Sequence, residues 1–284
     1  MQKILVPTDF SNNALKALAY AAELAQKSGA SILLLHVIEP TINMVTMHAD
    51  SSGEKVVKER SDELNLSLQS LTEVYPDIMV MPHLAGGSVI SSILAYADKE
   101  KVDLIVMGTK GASGLKKFFM GSVTAGAIGK TKIPILTVPV SYEMEEPDAI
   151  LFATNLFEKD KDVLNKIVSI SKQFSAVIHV AVFKADDGDK AADFIYNEEQ
   201  LNDYLQFLKE TFPDVTFRAA LLSGDDFELT VDHYCNKNKV DLIAMVTYPK
   251  SFIEKVLGKS VTKNMAFQST IPILAIPAIG ERVP

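Results

Sequence analysis

The second half of the chain repeats the first, and this restricts its fold more than any other feature. Val102-Asp-Leu-Ile-Val-Met107 returns as Val240-Asp-Leu-Ile-Ala-Met245, Ser122-Val-Thr124 as Ser260-Val-Thr262, and Ile133-Pro-Ile-Leu136 as Ile271-Pro-Ile-Leu274, all at an offset of 138. Ile4-Leu5 and Thr8 recur as Ile150-Leu151 and Thr154 at an offset of 146, so the second copy is eight residues shorter between its first and fourth strands. A period of this length is too long for a solenoid and indicates a duplicated domain. The 284 residues suit two domains better than one. They are expected at residues 1–142 and 148–284, with the polar, acidic stretch Ser141 to Asp148, which carries Pro147, as the linker.

Within the first copy, short β-branched runs alternate with longer amphipathic stretches, the pattern of a parallel sheet covered by helices. Strands are expected at Lys3 to Thr8, Ser31 to Val37, Asp77 to His83, Asp103 to Met107 and Ile133 to Pro139. Helices are expected from Ser11, as a capping serine, to Lys27, from Glu54 to Val74 and from Ser88 to Lys99, with a fourth starting at Ser122.

The charge is unevenly divided. Met1 to Tyr142 carries 13 basic and 13 acidic residues and Glu143 to Pro284 carries 15 and 23, so the whole net charge of -8 lies in the second half. Neither half has the basic face of a nucleic-acid binder, and none is expected as a partner. No apolar run is long enough for a membrane span, and Met1 to Asp9 runs into a strand pattern without a secretory leader, so no membrane and a cytoplasmic location are expected. Cys235 is the single cysteine. It lacks a partner for a disulfide or a metal and reads as core packing.

The segment richest in chemistry follows the fourth strand: Gly108-Thr-Lys-Gly111, nine residues, then Gly121-Ser122 at a helix start. Glycines at 108 and 111 let the backbone leave the strand with no Cβ in the way of a ligand. Gly121 and Ser122 then present the unpaired amides and positive dipole end of a helix, where a phosphate sits well. Lys110, Lys116 and Lys117 add positive charge to the loop. The bland alternative is a loop that turns a corner, with Ser122 as a helix cap. At the other end of the same crevice Pro7-Thr8-Asp9 closes the first strand. In an open parallel sheet ligands lie at the carboxyl ends of strands flanking the switch point, which here are the first and the fourth. Asp9 is placed to accept from ribose hydroxyls, or else to cap the first helix together with Ser11.

Pro7-Thr8-Asp9, Leu35-His36-Val37, Val106-Met107-Gly108 and above all Gly108-x2-Gly111-x9-Gly121-Ser122 resemble the nucleotide-binding pattern of the universal stress protein family, once per half over nearly the whole chain. The resemblance implies two tandem five-stranded parallel α/β sandwiches, Rossmann-like, with strand order 3-2-1-4-5. It also implies ATP, or AMP or ADP, lying across strands one and four. Asp9 then adjoins the ribose, Val37 the adenine, and Gly108, Gly111, Gly121 and Ser122 the phosphates, with Pro7, Thr8, Met107 and Val123 beside them in the binding site. Magnesium, where present, comes with the nucleotide, since no His, Cys or carboxylate set has metal spacing; His36, His48, His83 and His233 read as satisfied or exposed.

Two fragments imitate the end of a P-loop, Gly129-Lys130-Thr131 and Gly258-Lys259-Ser260, but the glycine that must precede each is Thr124 or Ile253. No serine elbow and no paired carboxylates are visible, so at most weak ATP hydrolysis or self-phosphorylation at Ser122 is expected. The readings open at this point are a nucleotide-binding regulator, that slow enzyme, and a scaffold without nucleotide. In the second half Ala153 replaces Pro7, Asn155 Asp9, Phe183 Val37, Val246 Gly108, Pro249 Gly111 and Lys259 Gly121, leaving Ser260. Gly258 offers partial compensation through a one-residue shift, but this half reads as kept for packing and interaction rather than as a second ATP site.

The last strands, Ile135 to Val140 and Leu274 to Ala278, are edges that require a partner. By the family resemblance they pair with each other as an intrachain pseudo-dimer, and no residue singles out a further homodimer of chains. Cutting the chain at Glu145 is therefore expected to give halves that self-associate in sedimentation experiments at high concentration; monomeric halves contradict the pairing.

Overall fold

The computed structural model describes residues 1–39, 52–109, 121–143, 146–154, 157–185, 191–247 and 270–278. The chain divides into two compact units, Met1–Ser141 and Tyr142–Pro284.

In the first unit the elements run β1 (Lys3–Pro7), α1 (Asn12–Ser28), β2 (Ser31–Ile38), α2 (Ser52–Val74), β3 (Val80–Gly86), α3 (Val89–Glu100), β4 (Leu104–Gly108), α4 (Ser122–Ile128) and β5 (Ile135–Val138). All strand pairs within it are parallel and their order is β3-β2-β1-β4-β5. The second unit repeats this with β6 (Ala149–Ala153), α5 (Lys161–Phe174), β7 (Val177–Ala185), α6 (Ala191–Thr211), β8 (Phe217–Gly224), α7 (Phe227–Asn238), β9 (Leu242–Thr247) and β10 (Ile273–Pro277), ordered β8-β7-β6-β9-β10. Residues 39–51 separate β2 from α2 while only 186–190 separate β7 from α6, which places the missing eight residues in that crossover.

Sheets covered on both faces need strands apolar on both, and Ile4, Leu5, Val6, Ile32, Leu33, Leu34 and Leu35 are all buried. Helix α1 covers this sheet with Ala14, Ala17, Leu18, Ala21, Leu24 and Ala25, a stripe at helical spacing whose small residues bring it close. Ser11 Oγ accepts from Ala14 N at 3.2 Å to start α1, and Gly29 at φ 68° ends it. Strand β3 starts three residues later than the pattern suggested. Helix α2 continues into a turn, in which Ile78 N donates to Tyr75 O, and pairing begins where Ile32 N donates to Met79 O. Pro82 lies in β3, which is tolerated because β3 is an edge strand with one neighbour.

The repeated Lys-Val-Asp that precedes β4 and β9 is a corner. Lys101 and Lys239 take left-handed backbone at φ 54° and 51° and end α3 and α7. Val102 N then donates to Ala97 O and Val240 N to Cys235 O, both at 3.0 Å, and both valines are buried. The aspartate reaches back to the start of the unit. Asp103 Oδ2 accepts from Gln2 N and Lys3 N at 2.6 and 3.0 Å, and Asp241 Oδ2 from Asp148 N and Ala149 N at 2.9 and 3.1 Å. Lys3 Nζ adds a contact to Glu100 at 3.2 Å in the first unit.

Cys235 is buried in the second core beside Val231 and Val240, and burial pushes its thiol up to about 12, so it stays protonated and unreactive. Asp103→Ala and Asp241→Ala each remove an anionic acceptor shared by two amides. Each is expected to lower the stability of its own unit by roughly 1–3 kcal/mol, read by urea unfolding, with the other unit unaffected.

Candidate functional site

In the first unit β1 sits between β2 and β4, so the strand order reverses beside it, and in open α/β sheets ligands lie at the carboxyl ends of the strands at such a switch point. Pro7 ends β1, paired with Leu35. Thr8 follows, buried, its N–H donating to Leu35 O at 2.8 Å and its Oγ1 accepting from Phe10 N at 3.0 Å. Asp9 is exposed and its Oδ1 accepts from Ser11 N at 3.1 Å. Asp9 thus shapes the turn into α1, and Ser11 makes the side-chain cap.

Val37 is half-buried near the end of β2, paired with Ala85. Met107 is buried on β4, and Gly108 ends that strand opposite Val138. Gly121 caps α4, whose first residues are Ser122, exposed, and Val123, half-buried. Two hydrogen bonds fasten α4 to the end of β4: Thr124 Oγ1 donates to Gly108 O at 2.9 Å, and Gly121 N to Thr109 O at 2.5 Å. The amide of Gly121 is therefore already engaged, and the helix amides with no acceptor inside α4 begin at Ser122. Gly111, Lys110, Lys116 and Lys117 lie outside the described residues, as does His48.

Gly108 has a second role that the motif alone does not reveal. A Cβ there would stand 2.7 Å from Asn13 Cγ, 2.9 Å from Asn13 Oδ1 and 3.0 Å from Asn13 O. Asn13 is buried and cannot give way easily, because its Nδ2 donates to Val138 O at 2.8 Å and its Oδ1 accepts from Thr109 Oγ1 at 3.4 Å. The glycine lets α1 lie against the mouth of β4 and β5.

Phe10 was also not visible as a site residue. It adopts φ 62°, rare for an aromatic residue, and packs on His36 with ring centroids 4.5 Å apart. The Arg60 guanidinium of α2 stands over the Phe10 ring, 5.9 Å from its centroid, and pairs with Glu63. His36 Nδ1 lies 2.8 Å from Thr8 O, so this histidine is satisfied within the turn. His83 stacks on Tyr96 at 4.4 Å and His233 is exposed. His179 is buried, 2.9 Å from Tyr234 Oη; burial first, and Arg218 second, lower its pKa and keep it neutral. Gly129 ends α4, and Thr131 is occupied with Ile133, so that P-loop imitation is a helix end.

In the second unit Ala153 ends β6, Phe183 lies on β7 and Val246 on β9. Asn155, Pro249 and Gly258 through Ser260 lie outside the described residues. Among the described residues no group of three or more His, Cys, Asp or Glu side chains is arranged to hold a metal, and no helix is long and apolar enough to cross a membrane.

The model of the universal stress protein family matches residues 1–139. The chain is 32% identical over 135 residues to a universal stress protein of Thermus aquaticus, covering 48% of this chain and 96% of that protein. It is 30% identical over 140 residues to one of Methanocaldococcus jannaschii, covering 48% and 81%. The structure matches the crystal structure of a universal stress protein from Archaeoglobus fulgidus with a TM-score of 0.71 over 97% of this chain and 98% of that one; at 20% identity this is a likeness of fold.

Gly108→Ala is expected to cost roughly 1–3 kcal/mol of first-unit stability through the overlap with Asn13, without any ligand present. Chemical unfolding of the ligand-free protein checks this, and unchanged stability means that Asn13 moves aside.

Proposed function

Because the chain belongs to the universal stress protein family, a stress-response family, we propose that its first unit is a binding site for an adenine nucleotide, ATP or its relatives AMP and ADP. The observation that carries this reading is the meeting of the motif ends at one carboxyl edge. Thr8 and Asp9 leave β1 there, Gly108 leaves β4 there, and Thr124 holds the start of α4 against Gly108. In this arrangement Asp9 accepts from the ribose hydroxyls beside Pro7 and Thr8, and the backbone at Val37 meets the adenine edge. Met107, Gly108, Gly111, Gly121, Ser122 and Val123 surround the phosphates, which take the positive end of α4 and its leading amides.

In this reading the site binds its nucleotide and at most hydrolyses it weakly, and the bound nucleotide acts by favouring one conformation or partner over another. A cytoplasmic location accords with that role. The second unit lacks the machinery: ten of the fourteen glycines precede residue 143, and the net negative charge follows it. One nucleotide per chain is the expected stoichiometry.

Gly121 is the position at which the reading is tested most cleanly. Its backbone, φ -57° and ψ 147°, is open to any residue, so Gly121→Val leaves the fold in place while its side chain crowds the phosphates. Loss of contacts worth about 0.5–1.5 kcal/mol each, several together, weakens ATP by roughly a hundredfold or more. Calorimetry on the full chain is expected to give one site for the wild type and none at micromolar ATP for the variant. Near-normal affinity in the variant, two sites in the wild type, or no nucleotide at all refutes the assignment.

A further inference from the structure

The two units differ in what stands at the carboxyl ends of their second and third strands. In the first unit Val37 of β2 pairs with Ala85, α3 opens with Val89, and both valines are half-buried. In the second unit Phe183 of β7 pairs with Leu222, and α7 opens with Phe227. The two rings meet edge to face, centroids 5.1 Å apart and planes at 86°. Both pack against the core formed by Leu151, Ala181, Leu222 and Val231. The perpendicular arrangement uses the face of one ring for the edge of the other, leaving no flat slot between them for a third.

The backbone next to this pair is also more tightly closed than its counterpart. A Cβ on Gly224 would lie 2.3 Å from Thr230 Oγ1, whereas one on Gly86 would meet nothing within 4 Å. Where the first unit has Gly87-Ser88 the second has Asp225-Asp226, and Asp226 Oδ1 accepts from Leu229 N at 2.9 Å at the start of α7. Two carboxylates thus stand where the first unit has a glycine and a serine. Bulk, contact and charge change together, in one direction.

We propose that Phe183 and Phe227 are a built-in replacement for the planar heterocycle of a ligand, so that the second unit carries its own aromatic filling where the first leaves room for a base. This rests on the reading of the first unit's crevice as an adenine site. It makes the size of the residues at positions 37, 89, 183 and 227 the determinant of which unit accepts a base, separately from the phosphate loop.

The test uses the full-length chain and adenosine, which has no phosphate and so leaves the phosphate loop out of the readout. Equilibrium dialysis is expected to give one adenosine per chain for the wild type and two for Phe183→Val/Phe227→Val, provided that both unfolding transitions persist. A folded variant that still binds one overturns the proposal. Should the wild type bind no adenosine, indole serves as the probe in its place, the nucleotide reading being judged separately by ATP calorimetry: an additional indole site in the variant supports the filling, and no additional site overturns it. Where Phe183→Val/Phe227→Val does not fold, Val37→Phe/Val89→Phe decides the matter, with a tenfold or greater loss of adenosine affinity expected and unchanged affinity overturning the proposal.

Discussion

The first strand of each unit is central in its sheet and is held at its start by one carboxylate. Asp103 and Asp241 each gather two amides that precede or open the strand, across 100 and 92 residues of chain. The same corner closes a helix with a left-handed lysine, buries a valine, and sends the chain into the neighbouring strand. Because β1 and β6 occupy the centre, everything at their far ends depends on this anchoring: the turn through Thr8 and Asp9, the start of α1, and the crevice beside them. The repetition of Val-Asp-Leu-Ile in the sequence is therefore a repeated joint. Its aspartate stands at the start of the strand, opposite the carboxyl edge.

At the opposite end of the sheet the packing is close enough that single atoms decide what is allowed. Gly108 serves α1, through Asn13, as much as any ligand, and Thr124 and Thr109 hold the strand end and α4 together. The end of β4 and the start of α4 are thus held from behind by side chains of the unit's own packing. The contacts of Phe10 with His36 and Arg60 give comparable support to the turn after β1.

Much of the architecture was legible. Duplication, parallel α/β order and helix starts followed from the offset of 138 and from the alternation of short β-branched runs with helical stripes. The start of β3 was not, because Asp77 to Met79 look extended in sequence but lie in a turn, and the pairing with β2 that sets the true start is not a local property. Of the candidate site, Asp9 follows, Gly108 ends and Gly121 precedes the elements that their spacing assigns them to, while Gly111 lies outside the described residues. Asn13 could not be found from the sequence, since a buried asparagine on a helix announces itself only through the glycine it faces. Phe10 could not either, because nothing local demands left-handed backbone of an aromatic residue. Substitution at Phe183 was visible by alignment of the halves, but its meaning appears only with Phe227 against it.

The two joints also impose an order on the birth of the chain. A ribosome releases β1 long before Asp103, and until that residue emerges the strand has no anchor and lacks its β4 neighbour. Early secondary structure can form around β1, β2 and α1, but the centre of the sheet closes only when nearly a whole unit is outside the exit tunnel. The second unit repeats the wait from Asp148 to Asp241. Synthesis thus proceeds through two long intervals in which an apolar central strand is half-paired, and those are the intervals in which a nascent chain of this design depends most on being shielded from its neighbours.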